Sequence, residues 1–207
     1  MTVETVIFDF DGTIADSLHL FVEIAADLFN IDDNVGTDLL EELRGMRRNE
    51  VLNRLDISRL QALWSYRTGK RRFAERIDEV YPFEGMPELL DSLHGTYTVG
   101  IVTDNDVDTV ESFMSQHDLP SFSFIRSNSI FESKAWALKR LEGERDIDLS
   151  ETVYVGDQIT DVEAAHEANC AVVAVDWGYN TASLLESGSP HRVVSSPNGL
   201  LGVIQSL

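Results

Sequence analysis

Two aspartates separated by one residue directly follow the first apolar run of the chain, in the motif Asp9-Phe10-Asp11-Gly12-Thr13. Side chains two residues apart at a strand end point to the same side, and glycine lets the backbone turn closely beside a ligand, so Gly12 is a candidate phosphate contact. Asp9 could attack phosphorus as a nucleophile, while Asp11 protonates the leaving oxygen and later deprotonates water. Because such residues are also common in an Asx-turn, the motif alone supports both interpretations about equally.

Two later residues could bind phosphate at the same place. Thr103 ends another apolar run and offers a hydroxyl and exposed backbone amides, which hold phosphate oxygens at the start of a helix. Lys134 begins a predicted helix and could neutralise the transferring phosphoryl group and orient Asp9. Taken singly, Thr103 could equally be a helix cap, and Lys134 a solvated lysine.

Two further aspartates follow the apolar run of residues 152–155, in the segment 156–161. Mg²⁺ prefers hard oxygen ligands, often one or two carboxylates completed by phosphate and water. Asp157 is the better candidate for a direct ligand. Asp161 could either hold a metal-bound water or cap a helix.

These residues need a scaffold in which strand ends meet, and the hydrophobic pattern predicts one. Short apolar runs alternate with segments of helical spacing, which indicates an α/β fold with a parallel sheet and a ligand crevice at the carboxyl ends of its strands. The predicted strands are 3–8, 97–102, 152–155, 171–175 and 191–194. The predicted helices are 87–93, 107–117, 134–141, 161–168, 181–187 and a terminal helix from 198 or 199 to 207.

The interval between the first two strands breaks this alternation. It has helical periodicity throughout and no strand pattern, with predicted helices at 18–29, 38–44, 49–55 and 58–77. We therefore predict a core domain formed by residues 1–16 and 82–207, and an inserted helical cap domain at 17–81.

The charge of the chain restricts its partners. Asp and Glu number 36 against 16 Lys and Arg, giving a net charge of −20 that repels nucleic acid. No apolar run approaches the roughly 20 residues that span a bilayer, and the N-terminus lacks a secretory signal. We predict a cytoplasmic protein that binds neither nucleic acid nor membrane; whether it is a monomer or a homodimer stays open.

Lysine is scarce, with Lys70, Lys134 and Lys139 as its three occurrences. A surface rich in carboxylates and poor in lysine is typical of proteins from organisms with a concentrated salt cytoplasm, where salt screens self-repulsion. The ordinary alternative is an acidic protein from a low-salt cell. A high-salt origin predicts a melting temperature that rises with KCl, and equal stability at low and molar KCl would contradict it.

The order of the motifs, DxDGT, then a strand ending in Thr, then Lys, then GDxxxD, resembles the haloacid dehalogenase-like hydrolase superfamily over nearly the whole chain. The stretch Trp177-Gly178-Tyr179-Asn180 is similar to the C-terminal part of its phosphoglycolate phosphatase-like members. The insertion resembles the C1-type cap, also found in the β-phosphoglucomutase-like branch. The resemblance implies a Rossmann-like core with an inserted helical cap.

The resemblance also implies roles for individual residues. Asp9 would be phosphorylated, Asp11 would be the acid/base, and Thr103 with Lys134 would bind the phosphoryl group of a small phosphorylated metabolite. Mg²⁺ would be bound by Asp9, Asp157 and the backbone carbonyl of Asp11. One position departs from the pattern, since many members carry Asn directly after the motif II Thr, whereas here Asp104 intervenes before Asn105; the amide of Asp104 could still donate to phosphate.

Several alternatives follow from the same residues. Within the superfamily that the chain resembles, an aspartate at the position of Asp11 disfavours dehalogenase, phosphonate-cleaving and transport-ATPase chemistry, which leaves a Mg²⁺-dependent phosphatase or a sugar-phosphate mutase. The phosphatase is preferred because His19, the one candidate for a mutase-like cap histidine, is offset from the expected position. A non-catalytic phosphate-binding regulator is a rival of another class, but a receiver domain has a different motif order.

A cluster of arginines in the insertion could recognise an anionic substrate. So negative a chain needs a locally positive entrance, which Arg44, Arg47 and Arg48 could provide. Arginines on helices more often make exposed ion pairs of little energetic value.

Overall fold

The computed structural model describes residues 2–31, 37–128 and 132–207. These residues contain a six-stranded sheet in which all pairings are parallel. Its strands are β1 (Thr5–Phe8), β2 (Thr98–Thr103), β3 (Phe124–Ser127), β4 (Thr152–Gly156), β5 (Ala171–Val175) and β6 (Arg192–Val194). Their spatial order is β3-β2-β1-β4-β5-β6. The predicted α/β fold with a Rossmann-like parallel sheet is confirmed.

Helices follow the strands and cover the sheet. Between β1 and β2 lie α1 (Leu18–Phe29), α2 (Thr37–Arg44), α3 (Arg48–Arg54), α4 (Arg59–Glu75) and a short 3₁₀ turn (Ile77–Glu79), with no strand among the described residues of this interval. Helix α5 (Met86–Leu93) ends this interval, and the helices after β2 are α6 (Val107–Gln116), α7 (Lys134–Arg145), α8 (Ile159–Glu167), α9 (Ala182–Ser187) and α10 (Pro197–Ile204). None of the described helices is long and apolar enough to cross a membrane.

The central strand β1 aligns the strand ends that carry the motifs. Val6, Ile7 and Phe8 are fully buried, as expected for a parallel strand covered on both faces. Phe8 is in register with Ile101 of β2 and Val155 of β4. The chain moves from β1 to one side of the sheet and returns on the other side with β4, so the crevice expected at such a switch point lies at the carboxyl end of β1.

The helices of the insertion pack on the rest of the molecule. Leu20 and Ile24 of α1 and Phe73 of α4 belong to the same apolar cluster as Phe8 and Phe113. This burial stabilises the position of the insertion over one face of the sheet.

The sequence did not predict β3. Phe124 is buried, but Ile125, Arg126 and Ser127 are half-buried because this strand lies at the edge of the sheet. A short edge strand lacks the continuous apolar run by which the central strands were recognised.

Helix boundaries differ from the prediction by a few residues. The segment predicted as one helix at 58–77 ends at Glu75, and Ser58 caps its start by accepting a hydrogen bond from the Gln61 amide at 3.2 Å. Helix α8 begins at Ile159, two residues before its predicted start, because Gln158 occupies the N-cap position. Asp161 therefore lies in the first turn of this helix.

Candidate active site

Three aspartates from different parts of the sequence meet at the carboxyl ends of β1 and β4. Carboxylate oxygens of Asp9, Asp157 and Asp161 lie within 4.8 Å of one another. All three side chains are buried: Asp9 is 3% exposed, and the other two are 0% exposed. The parallel register of β1 and β4 brings Asp9 and Asp157 together, and the first turn of α8 adds Asp161.

Lys134 places a positive charge inside this cluster. Its Nζ donates to Asp9 Oδ2 at 2.6 Å and to Asp161 Oδ1 at 2.5 Å, and the lysine side chain is 11% exposed. Burial lowers the pKa of Lys134, but the charges of Asp161 and Asp9 outweigh burial and hold this pKa well above its ordinary value. The ammonium therefore stays charged and fixes the orientation of the Asp9 carboxylate.

Asp157 is held from two sides. Its Oδ1 accepts from the Thr13 hydroxyl at 3.1 Å, and its Oδ2 accepts from the Tyr179 backbone amide at 2.6 Å. Gly12 is required beside it, because its φ is +74° and a Cβ there would lie 2.2 Å from Asp157 Oδ2. Gly12 thus leaves room for a carboxylate directly under the turn of the first motif.

Asp11 is positioned by residues that the sequence analysis did not assign. Its Oδ1 accepts from the Ser17 hydroxyl at 3.0 Å, and its Oδ2 accepts from Asn105 Nδ2 at 2.7 Å. The Tyr179 hydroxyl lies 3.2 Å from the Ser17 hydroxyl. Burial raises the pKa of Asp11 to about 6 although the hydrogen bonds from Ser17 and Asn105 oppose this shift.

Thr103 and Asp104 lie at the end of β2, on the side of Asp11. The Thr103 hydroxyl is buried and accepts from the Asn105 amide at 3.0 Å, so its own hydrogen stays available for donation. Asp104 is exposed, and its Oδ1 accepts from Asn128 Nδ2 at 3.4 Å. Asn105, one residue later than the family pattern expects, is the residue that contacts Asp11.

The three arginines proposed to recognise the substrate have different surroundings. Arg44 donates to the backbone carbonyls of Asp176 and Gly178 at 2.9 and 3.0 Å. Arg47 forms an ion pair with Glu163 at 2.5 Å. Arg48 is exposed. Burial raises the pKa of the Tyr66 phenol, and the positive charges of Lys70 and, more weakly, Arg48 oppose this rise.

Some of these contacts had a signal in the sequence and others had none. Thr13 lies inside the first motif, and Asn105 directly follows the residue that departs from the family pattern. Ser17 and Tyr179 are ordinary residue types, separated from each other by 162 positions. Their proximity to Asp11 depends on how α1 and the loop after β5 pack together.

The donor set fits a divalent cation. Among the described residues, three buried carboxylates surround one ammonium, that of Lys134. The site therefore carries excess negative charge in a region of low dielectric. Buried charge of this kind is costly unless it is paired or coordinates a metal, and carboxylate oxygens are the ligands that Mg²⁺ prefers.

The raised pKa values predict a stability that falls as the pH rises. Burial, with the nearby charge of Asp161, raises the pKa of Asp157 to about 7, and burial raises the pKa of Asp11 to about 6. Between pH 5 and 8 the folded protein must release protons that the unfolded chain has already lost, so its free energy of unfolding decreases over this range. With a chelator present, we expect the melting temperature to be lower at pH 8 than at pH 5 by on the order of 10 °C.

The fall in stability between pH 5 and 8 can be assigned to the buried aspartates. Glu42 and Glu79 have lowered pKa values because of bonds to Arg54 and Arg76, so they titrate at lower pH and do not mask the effect. The Asp157→Asn variant should lose much of the dependence, since it removes the carboxyl whose pKa is the higher of the two. A melting temperature that increases from pH 5 to 8 would contradict the assignment.

Comparison with known proteins agrees with this geometry. The family model of haloacid dehalogenase-like hydrolases matches residues 6–175. A phosphoglycolate phosphatase from Synechococcus elongatus is 30% identical over 210 residues, covering 99% of this chain and 99% of that protein. An N-acetylmuramic acid 6-phosphate phosphatase from Pseudomonas aeruginosa is 26% identical over 200 residues, covering 86% and 84%.

The fold has close counterparts among solved structures. A predicted phosphatase from Clostridium acetobutylicum is similar with a TM-score of 0.83 at 20% identity, covering 100% of both chains. The family match extends from β1 to the end of β5 and so includes Asp9, Asp157 and Asp161. The resemblance predicted from the motifs is thus confirmed, and the chain belongs to the haloacid dehalogenase-like hydrolase family.

Proposed function

We propose that this hydrolase is a Mg²⁺-dependent phosphatase that cleaves a small phosphate monoester through an aspartyl-phosphate on Asp9. The observation that carries the proposal is the arrangement around Asp9: Lys134 binds one of its oxygens, Asp157 lies within 4.8 Å, and Asp11 stands two residues away. A carboxylate held between a cation and a neighbouring acid is suited to nucleophilic attack on phosphorus.

In the first step an Asp9 oxygen bonds to phosphorus while the bond from phosphorus to the ester oxygen breaks. Asp11 transfers its proton to the leaving oxygen. In the second step water attacks the same phosphorus, Asp11 takes a proton from this water, and the Asp9–phosphorus bond breaks to release phosphate. A pKa of about 6 lets Asp11 serve as acid and as base near neutral pH.

The phosphoryl group would be held by residues around this nucleophile. The Thr103 hydroxyl has a hydrogen free to donate, the Asp104 amide follows it, and the backbone of Gly12 lies directly against Asp157. The Lys134 ammonium neutralises negative charge next to Asp9. Mg²⁺ would be held by Asp9, Asp157 and the backbone carbonyl of Asp11, and Asp161 would lie next to these ligands. When bound, Mg²⁺ would supply positive charge to the phosphoryl oxygens.

The insertion, residues 17–81, would act as a cap that recognises the rest of the substrate. Tyr66 of α4 already contacts the strand-end loop, since its hydroxyl lies 3.5 Å from the Asp104 carbonyl oxygen. Arg48, at the start of α3, is exposed, which suits its guanidinium to bind a second anionic group. A small phosphorylated acid fits this arrangement, and a curated relative of nearly equal length is named phosphoglycolate phosphatase.

A panel of phosphate esters tests the proposal. We expect Mg²⁺-dependent release of inorganic phosphate, with phosphoglycolate turned over more efficiently than hexose phosphates or pyrophosphate. The Arg48→Gln variant should raise KM for phosphoglycolate by about tenfold and change kcat little, because one charged contact is worth about 1.5–3 kcal/mol.

Other outcomes would favour a different function. Conversion of a hexose 1-phosphate to its 6-phosphate without net release of phosphate would indicate a mutase. Binding of Mg²⁺ and phosphate with no turnover of any ester would indicate a regulator. A preference for hexose phosphates that is unaffected in Arg48→Gln would contradict the substrate class.

A further inference from the structure

Arg44, at the end of α2, binds the loop that follows β5, residues 176–181. Its Nε donates to the Gly178 carbonyl at 3.0 Å, and its second terminal nitrogen donates to the Asp176 carbonyl at 2.9 Å. The backbone carbonyl of Arg44 accepts from the Thr181 amide at 3.1 Å and from Asn180 Nδ2 at 3.2 Å. Side chain and main chain of one insertion residue therefore hold both ends of this loop.

The same loop holds the carboxylate of Asp157. The peptide unit between Gly178 and Tyr179 is bonded at both ends: its carbonyl oxygen accepts from Arg44, and its N–H donates to Asp157 Oδ2 at 2.6 Å. A cationic donor on the carbonyl oxygen polarises a peptide and strengthens the bond made by its N–H. Arg44 thus acts on Asp157 through one shared peptide group.

The packing around this peptide leaves little freedom for the loop. A Cβ at position 178 would lie 2.2 Å from the Gly12 carbonyl oxygen and 2.4 Å from Asp157 Oδ2. Asn180 extends the connection, because its Oδ1 accepts from the Ile159 amide at 2.9 Å at the start of α8. A shift of the loop would therefore move groups on both sides of Asp157.

We infer that Arg44 is a positioning residue that sets the affinity of the site for its cation by fixing the peptide that binds Asp157. Because Arg44 belongs to the insertion, the docking of α2 on this loop is coupled to the positioning of Asp157 in the metal site. This inference rests on the proposed Mg²⁺ site and assigns Arg44 a role other than contact with substrate. Arg44 is suited to it because its side chain is 19% exposed and bound to backbone carbonyls.

The test measures Mg²⁺ binding by calorimetry in the absence of substrate. We expect Arg44→Gln to raise the Mg²⁺ dissociation constant about tenfold, as is common for groups that orient metal ligands, while KM for the ester at saturating Mg²⁺ changes less than about twofold. Arg44→Lys keeps the charge but cannot span two carbonyls, so it should weaken Mg²⁺ binding similarly. It also serves as the test variant if Arg44→Gln does not fold, as judged by circular dichroism.

Two controls separate this effect from loss of charge. Glu41→Gln removes the carboxylate that pairs with Arg44 but leaves both carbonyl contacts, and Arg54→Gln removes a positive charge that pairs with Glu42 elsewhere in the insertion. Both should bind Mg²⁺ as the unaltered protein does. Unchanged Mg²⁺ affinity in the Arg44 variants, with a raised KM for the ester, would overturn this inference alone; an unaltered protein that binds no Mg²⁺ would overturn the proposed metal site with it.

Discussion

The Asp9→Asn variant is expected to release phosphate from an aryl phosphate at least about 10⁴-fold more slowly than the unaltered enzyme, because an amide cannot form the acyl-phosphate. The substitution preserves size and hydrogen-bonding shape at a position that is 3% exposed. Burial already raises the pKa of Asp9 well above its ordinary value although Lys134 opposes this shift, so an uncharged side chain is tolerated there. The variant should therefore fold, and its loss should be confined to kcat.

Steady-state phosphate release in the presence of Mg²⁺ is the measurement. Asp16→Asn is the matched control, since Asp16 is exposed and lies just beyond the motif. It should retain activity within about twofold, as expected for a surface substitution. Comparable turnover by Asp9→Asn and the control would refute the nucleophile assignment, and trapped phosphate on any residue other than Asp9 would redirect it.

Replacing Lys134 by methionine should affect both stability and activity. The ammonium joins Asp9 and Asp161, whose side chains are 4% and 0% exposed, so its removal leaves two buried carboxylates without their common partner. We expect the free energy of unfolding at pH 7 to fall by about 3–5 kcal/mol, and kcat to fall by about 10²–10³-fold from the loss of charge next to the phosphoryl group. Chemical denaturation and phosphate release measure the two effects separately.

The Lys139→Met variant provides the comparison on the same helix. Lys139 pairs with Glu167 at 3.2 Å but is 45% exposed, so its loss should cost no more than about 1 kcal/mol. The destabilisation in Lys134→Met should decrease when Asp161→Asn is added, because the double variant removes one of the two uncompensated charges. Equal destabilisation by both lysine variants, or no recovery in the double variant, would contradict the buried bridge.

Protonation of the buried carboxyl of Asp9 at lower pH should also reduce the destabilisation of the Lys134→Met variant. Without the ammonium, the shift that burial imposes on the pKa of Asp9 is no longer opposed, so its folded-state pKa lies further above the unfolded value. The stability of the variant then decreases as the pH rises, and its difference from the unaltered protein is smaller at pH 5 than at pH 8.

The order of motifs along the chain determined much of the site in advance. Asp9, Thr103 and Asp157 each stand at or just after the carboxyl end of an apolar strand. Because the carboxyl ends of neighbouring parallel strands lie at one edge of a sheet, local pattern alone predicts that Asp9 and Asp157 come together. The order of these motifs along the chain was also sufficient to predict the family.

The sequence left alternatives wherever a side chain has more than one possible partner. Asp161 could cap a helix or lie beside the cation, and both are consistent with its place: Oδ2 accepts from the Gln158 amide at 2.9 Å, while Oδ1 accepts from Lys134. Lys134 was expected to orient Asp9, but its second bond to Asp161 depends on how α7 packs against α8. Local spacing carries no information about that packing.

Tertiary structure alone decided the contacts that hold the acids in place. Asn105 reaches Asp11 across 94 positions, and Arg44 reaches the loop at 178 across 134 positions. Such pairs leave no periodic trace in the sequence, because each residue is an ordinary type in its own segment and acquires its partner only when distant segments pack together. The residues that do the chemistry could therefore be predicted from the strand ends, whereas those that orient them could be found only in the folded chain.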